Sequence, residues 1–415
     1  MLRHHFLVKD IHVLVIQKYG GTSVGTPERI LNVAKRVLET KRAGHDVVVV
    51  VSAMSGETNR LLALAHAIDP NATGREVDQL LASGEQVTVA LLSLAFQQLG
   101  QPSKSFLAHQ VKIVTDYAYN KARILSIDHS KISQALAQNQ IVVIAGFQGI
   151  TDDGSITTLG RGGSDTTAVA IAAAMNADLC EIYTDVKGIY TTDPRICPDA
   201  KKLDRISYEE MLELASAGAK VLQIRSVEFA AKYKVKLVVR SSFDAEEGTL
   251  VTDEDPTMEA ILVSGITLDK SEAKVSIRSV PDQPGISSEI FGPIAEANIN
   301  VDMIIQNTGL DNRADLTFTV PLTDLRHAVQ VLTNSKNKIQ FATIETDEDI
   351  AKVSIVGVGM RSHAGVAALA FKTLSDNKIN IDMISTSEIK ISLIVQKCDA
   401  ENAVKALHDA FKLGA

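Results

Sequence analysis

Two glycine-rich segments of this chain carry residue types that can act on a phosphate. The first, Lys18-Tyr19-Gly20-Gly21-Thr22-Ser23, sets a lysine ahead of two glycines. The second, Gly160-Arg161-Gly162-Gly163-Ser164-Asp165-Thr166-Thr167, brings an arginine and an aspartate into an alanine-rich stretch. A loop that joins a strand to a helix lines up backbone N–H groups at the positive end of the helix dipole, where anionic oxygens are favoured. A lysine, an arginine fork, N–H donors and an acid are the parts phosphoryl transfer uses, because the reaction needs charge neutralised and groups positioned. Each part alone is also what a tight turn, a solvated lysine or a surface ion pair looks like. Two charged loops, each following an apolar strand, favour the phosphate reading. The GxxxxGK[ST] loop, a full GxGxxG, and the HRD and DFG motifs are absent.

One motif competes. Gly21-Thr22-Ser23-Val24-Gly25 fits the GxSxG nucleophile elbow, which would make Ser23 the nucleophile of a hydrolase. That reading uses neither Lys18 nor the second loop, and no HGGG-type oxyanion sequence accompanies it. No HExxH or clustered His/Cys spacing points to a protein metal cage.

The elements that must position these loops can be read from periodicity. Val13–Lys18 is a short apolar strand running into the first loop. A helix follows, with Thr26 as N-cap, Pro27 at its first position and Ile30, Leu31, Ala34, Val37 and Leu38 at helical spacing. The run Val47–Val51 predicts a strand covered on both faces, hence a parallel sheet flanked by helices. Gln79–Leu99 and Ser164–Ala174 read as helices, and Ile141–Ala145 and Glu181–Thr184 as strands. This alternation predicts an α/β sandwich reaching about residue 250.

A polar stretch from Glu246 to Met258 marks a boundary, after which the chain repeats itself. Ala273-Lys-Val-Ser-Ile277 recurs as Ala351-Lys-Val-Ser-Ile355, and Ile299-Asn-Val-Asp-Met-Ile304 as Ile379-Asn-Ile-Asp-Met-Ile384. Each unit reads strand, helix, strand, strand, helix. For the first these are Lys274–Val280, Ile286–Ala297, Asn300–Gln306, Ala314–Val320 and Leu325–Ser335. The first unit has a further strand at Gln340–Glu345, and an unpaired strand candidate, Ala260–Thr267, precedes it. The second unit ends one strand short, so the expectation is that both share one nested sheet. The domains are therefore placed at 1–255, 256–346 and 347–415.

Composition excludes other classes. The 415 residues carry 42 basic and 50 acidic side chains, a formal charge of −8, so no broad basic face for nucleic acid is expected. Hydrophobic content of 45% excludes wholesale disorder. Cys180, Cys197 and Cys398 offer no CxxC pair and no disulfide framework, which fits a reducing compartment. No signal peptide and no run of about 18 apolar residues is seen, so a cytoplasmic location without a membrane partner is expected.

With these segments in view, the chain resembles the aspartokinases of the amino-acid kinase family. The resemblance rests on Gln17-Lys-Tyr-Gly-Gly-Thr-Ser23, Ser52-Ala-Met54, Leu81-Ala-Ser-Gly-Glu85, Thr158-Leu-Gly-Arg-Gly-Gly-Ser-Asp165 and Tyr183-Thr-Asp-Val-Lys-Gly-Ile-Tyr-Thr-Thr-Asp-Pro-Arg195. The duplicated part resembles tandem ACT domains, ferredoxin-like α+β regulatory units. Coverage runs from about Val15 to Leu413; the first dozen residues look like an extension.

The resemblance implies ATP and Mg²⁺ as cofactors, L-aspartate as phosphoryl acceptor, and lysine and/or threonine as feedback effectors. It implies Lys18, Arg161 and Asp165 as catalytic residues. Lys18 would stabilise the moving phosphoryl, with Gly20 and Gly21 donating backbone hydrogen bonds, and Asp165 would position Lys18. Arg161 would fork onto the aspartate carboxylate and Glu85 pair with its ammonium. Ser52, Thr58, Gly162, Gly163 and Ser164 would line the same pocket. Tyr19, Thr184, Asp185, Tyr190, Asp193, Pro194, Arg195 and Lys220 would form the nucleotide edge. Effector positions would be Asp282, Gly285, Asn300, Val301 and Gln306 in the first unit, and Asn380, Ile381 and Ser387 in the second. Ala367 stands where relatives often carry threonine. Assembly into a homo-oligomer through the ACT units is expected. Two other readings stay open: ACT-like units that only dimerise the chain, and a silent amino-acid-binding regulator.

Overall fold

The structure is a computed structural model, and it describes residues 12–219, 221–254, 262–309, 312–361 and 363–414. His4, His5 and Lys220 lie outside these residues. The chain divides into two compact units. The first holds everything to Tyr190, then Lys202–Ser216 and Lys220–Pro256; the second holds Thr191–Lys201, Ala217–Ala219 and Thr257–Ala415.

Among the described residues, twelve strands build the first unit. They are β1 (Leu14–Tyr19), β2 (Asp46–Val51), β3 (Ser103–Phe106), β4 (Ile113–Thr115), β5 (Ile124–Ile127) and β6 (Ile141–Ala145). The others are β7 (Gln148–Ile150), β8 (Ile156–Thr158), β9 (Leu179–Thr184), β10 (Arg205–Ser207), β11 (Leu237–Ser241) and β12 (Thr249–Thr252). Eight of them form one sheet in the order β10-β12-β11-β9-β1-β2-β6-β3, parallel except where β11 meets β12. The remaining four make a small sheet, β5-β4-β7-β8.

The helices are α1 (Pro27–Arg42), α2 (Glu57–Ile68), α3 (Arg75–Leu81), α4 (Ser83–Gln98), α5 (Ser130–Ala137), α6 (Gly163–Ala174), α7 (Tyr208–Ser216) and α8 (Ile224–Tyr233). Helix α1 starts where Thr26 and Pro27 predict, and the Thr26 hydroxyl accepts from the Arg29 N–H. The five valines of β2 are fully buried, because α1 and α4 cover one face of the sheet and α6 the other. The stretch Arg75–Gln98 is long and apolar enough by length and composition to cross a membrane, yet 56% of its apolar window is buried inside the protein.

The second unit holds β13 (Gly265–Asp269), β14 (Glu272–Pro281), β15 (Ile304–Thr308), β16 (Arg313–Pro321), β17 (Thr343–Asp347), β18 (Ile350–Val356), β19 (Met383–Thr386) and β20 (Lys390–Gln396). Its helices are α9 (Ile286–Glu296), α10 (Leu325–Asn334), α11 (Lys336–Ile339), α12 (Val366–Asp376) and α13 (Ala400–Ala410). The shared-sheet expectation is corrected: there are two four-stranded sheets, β15-β16-β14-β17 and β13-β18-β20-β19. Nesting survives in chain order, since β13 precedes the first repeat but completes the sheet of the second. The first sheet is completed by β17, which directly follows the first repeat, whereas the second is completed by β13 from ahead of the first repeat.

The repeats meet through a small apolar cluster of Met303, Ile350, Met383 and Ile394, with Ile305 packed on it. Around it the duplicated lysines and aspartates pair crosswise. Lys352 of the second repeat bonds Asp302 of the first and also Glu272; Lys274 of the first meets Asp382 of the second at 3.2 Å.

Candidate active site

Strand alternation decides what β1 delivers to its end. Ile16 and Lys18 face α6, whereas Gln17 and Tyr19 face α1. The Lys18 ammonium, 11% exposed as a side chain, lies 2.6 Å from Asp165 Oδ1 in the first turn of α6. That contact is close but not aligned as a hydrogen bond, and Asp165 Oδ1 is buried without another partner. The ammonium thus has one counter-charge and unspent donors.

The turn after β1 comes within contact distance of the loop after β2. A Cβ on Gly21 would sit 2.8 Å from the Ala53 carbonyl, so only glycine fits there. The Gly20 N–H is directed at the Tyr183 carbonyl, 3.3 Å away. On the same loop, Ser52 Oγ donates to Ser164 Oγ at 2.9 Å, joining the end of β2 to α6.

Glu85, in the first turn of α4, is 2% exposed. Its Oε1 accepts the Ala53 N–H at 2.9 Å, and Oε2 is buried with no partner. Burial pushes its pKa up to about 7, against the pull of the Ala53 N–H. Arg161 is exposed just ahead of α6 and makes no side-chain hydrogen bond to the described residues. Gly162 and Gly163 bring α6 in behind it, and Thr58 is half-buried in the first turn of α2.

Some expected residues are placed elsewhere. The Tyr19 ring is fully buried on the α1 face, stacked on Tyr183 with centroids 4.5 Å apart, so its side chain is removed from Lys18 and from any nucleotide. Thr184 ends β9 and Asp185 follows it, the Thr184 hydroxyl donating to Asp185 at 3.0 Å, and Tyr190 is half-buried. Asp193, Pro194 and Arg195 belong to the other compact unit, where Ile196 and Cys197 join the core of the second repeat and Arg195 pairs with Asp193 at 2.6 Å. The hydrolase reading loses its base: Ser23 Oγ is buried and shares a hydrogen bond with Ser242 Oγ at 2.5 Å, with no histidine or carboxylate bonded to it among the described residues. Cys180 and Cys197 are buried, Cys398 is exposed, and all three are free thiols.

Sequence reading missed a polar ladder on the α1 face. Gln17 on β1 stands opposite Glu181 on β9 and donates to it through Nε2 at 2.8 Å, and Arg240, two residues beyond Glu181's register partner Val238 on β11, donates to it at 2.6 Å. The buried carboxylate ties together three strands whose ends carry the site. Nothing in the linear spacing announces it, because the partners are 164 and 59 residues apart.

The effector positions lie in the second unit. Gly285 caps α9 and Ser287 Oγ donates to Gln306 at 3.3 Å, with Asp282 exposed in the loop between. Asn300 is exposed and Val301 packs partly into the first repeat's core. Asn380 Nδ2 donates to Asp382 at 3.2 Å, the Ser387 N–H is taken by the Lys390 carbonyl at 2.8 Å, and Ile381 and Ala367 pack against the second repeat's core.

The amino acid kinase family profile matches residues 13–241, and the ACT domain profiles match 275–334 and 353–411. The chain belongs to the amino acid kinase family. Within that family it falls among the aspartokinases. The aspartokinase of Pseudomonas aeruginosa is 56% identical over 404 residues, covering 97% of this chain and 98% of that one. The E. coli aspartokinase III structure with aspartate and ADP, in the R-state, matches with a TM-score of 0.82 at 27% identity, covering 96% of this chain and 99% of that one. The same enzyme with lysine and aspartate, in the T-state, gives a TM-score of 0.75 at 27% identity over the same shares. The chain is thus a kinase with a tandem ACT repeat.

Proposed function

We propose that this kinase transfers the γ-phosphoryl of MgATP to the side-chain carboxylate of L-aspartate, giving 4-phospho-L-aspartate and ADP. The observation that carries the reading is the Lys18–Asp165 pair in the first turn of α6, where Ser52 bonds Ser164 and the next residue, Ala53, bonds Glu85, whose Oε2 is unpartnered. The acceptor carboxylate is already ionised at neutral pH, so no side chain has to act as base. What the protein must supply is neutralisation and aim. Lys18 offers its spare donors to the transferring group. Arg161 presents a planar fork for a carboxylate, and Glu85 offers a buried oxygen to the substrate ammonium.

A magnesium-bound triphosphate fits this donor set. The Gly21 N–H, the Lys18 ammonium and the positive end of α6 suit phosphate oxygens, and Asp165 Oδ1 is an acceptor that hydrated magnesium favours. When bound, Mg²⁺ supplies charge neutralisation on the phosphates. Thr184, Asp185 and Tyr190 are the nucleotide edge on this reading.

Lysine and/or threonine would act as feedback effectors at the ACT units, with Asp282 facing an ammonium and the N-terminus of α9 a carboxylate. On this reading the reaction is the first step of a lysine, threonine and methionine route. Ile304 and Ile384, equivalent in the repeat, are 51% and 41% exposed, which supports assembly of copies through these sheets. The test is ADP release measured against L-aspartate, then titrated with lysine and threonine separately and together. Aspartate-independent turnover would remove the acceptor assignment. No response to either amino acid would leave the repeat a structural role.

A further inference from the structure

The loop that presents Arg161 is held from both sides by groups outside the site described above. Asp78, in α3, is fully buried and has no cationic partner among the described residues. Its carboxylate accepts the Thr158 N–H at 2.6 Å, the Thr158 hydroxyl at 2.8 Å and the Asn120 N–H at 3.0 Å. The Asn120 amide, with its nitrogen turned toward the carboxylate, adds a donor at 2.6 Å. Desolvation raises the Asp78 pKa while these donors pull it back. An unpaired buried carboxylate survives only where such donors converge.

From the other side, Arg225 at the start of α8 donates to the Leu159 carbonyl at 2.7 Å and to the Ala122 carbonyl at 2.8 Å. The Thr158 carbonyl accepts from Ala122 and the Leu159 N–H donates to Phe147. Gly160 turns the chain with φ +80°, and a Cβ there would meet the Asn120 carbonyl at 2.9 Å. Thr158 and Leu159 therefore have every backbone polar group engaged, while the next side chain but one, Arg161, is exposed.

We propose that Asp78 and Arg225 are positioning residues for Arg161, fixing the Thr158–Gly160 backbone so that the guanidinium is aimed before the substrate carboxylate arrives. The inference rests on the reading of Arg161 as the substrate fork. A flexible arginine loses freedom on binding, and a clamped base reduces that loss.

The test is steady-state kinetics on the full-length protein with aspartate and MgATP varied separately. Asp78→Asn is expected to raise KM for aspartate about tenfold and leave KM for ATP within about twofold. In an Arg161→Ala background the same change is expected to add less than about twofold, because residues acting through one group are not additive. An equal rise in both KM values, or a full effect in the Arg161→Ala background, overturns the proposal. If Asp78→Asn fails to fold, Thr158→Val and Arg225→Lys carry the test, each with a smaller shift of about threefold confined to aspartate. An unselective change in both variants overturns it equally. Failure of the underlying reading shows separately: Arg161→Ala would leave kcat/KM for aspartate unchanged.

Discussion

The protein buries two lysines in two ways. Lys18 in the kinase unit, 11% exposed, faces one carboxylate, Asp165. Lys352 in the regulatory unit, 3% exposed, is bracketed by Glu272 and Asp302. A buried ammonium must be neutralised, but its number of counter-charges determines what it can still do. Lys352 has spent its charge on its own repeat pair, and it serves to hold two sheets together. Lys18 has donors left over, and on the proposed reading they are there for an anionic substrate. A reactive lysine and a structural lysine are thus distinguished by what remains unpaired, not by burial.

The largest effect should come from the underspent lysine. Lys18→Ala is expected to lower kcat by about 10³-fold, some 4 kcal/mol, with little change in KM for aspartate, because the lost interaction belongs to the transition state. Unchanged kcat would erase the distinction drawn above. The fully spent lysine should fail differently. Lys352→Met leaves two carboxylates facing each other, and calorimetry should show the regulatory unit destabilised by about 3 kcal/mol. The half-exposed Asp302 can rehydrate, which keeps the loss from being larger. Adding Glu272→Met should restore part of it, and no recovery would mean that packing, not charge, dominates at this contact.

The same comparison applies to acids. Glu272 has Lys352 beside it and is still pushed up by burial, whereas Glu85 makes no ion pair among the described residues and reaches about 7. Burial disfavours the charged form, so the folded protein keeps a proton on Glu85 that the unfolded chain has released, and this group costs stability as pH rises from the ordinary carboxylate range to about 7. An ammonium ligand needs the ionised form. The expected outcome is that kcat/KM for aspartate rises about tenfold from pH 6 to 8 with an apparent pKa near 7. Glu85→Gln should flatten that limb, and a limb that persists in the variant would assign it to another group.

Much of this could be read from the chain. Thr26 and Pro27 start α1, the valine run of β2 is covered on both faces, and the KVSI and INxDMI repeats mark the duplication, because each is a local pattern with a local cause. What could not be read depends on partners far apart in sequence. Asp78 looks like any helical aspartate until Thr158, 80 residues on, comes to it. Tyr19 belongs to the phosphate-loop motif, yet strand alternation turns its ring into the core beside Tyr183. The second strand of the first repeat begins at Ile304 rather than Asn300, since Met303 is drawn into the cluster between the repeats. Strand β17 begins at Thr343 rather than Gln340, because Gln340 adopts a left-handed turn with φ +59° that closes α11.

The smallest effect tests the duplication itself. Lys274 and Lys352 occupy equivalent places in the KVSI repeat, and Asp382 and Asp302 equivalent places in INxDMI, so the crosswise pairs are related as the two halves of an isologous contact. Symmetry alone would make them worth the same. Surroundings differ: Lys274, 21% exposed, opens onto a cavity of about 620 Å³ that also takes in Arg278, Glu345 and Asp347, and its contacts to Asp382 and Asp347 are 3.2 and 3.4 Å. Water reaches this pair and screens it, so Lys274→Ala should cost about 0.5–1 kcal/mol in the same calorimetric transition. A loss as large as that of Lys352→Met would show that the two repeats are energetically equivalent despite their different exposure, and that the number of counter-charges, rather than access of water, sets the worth of each pair.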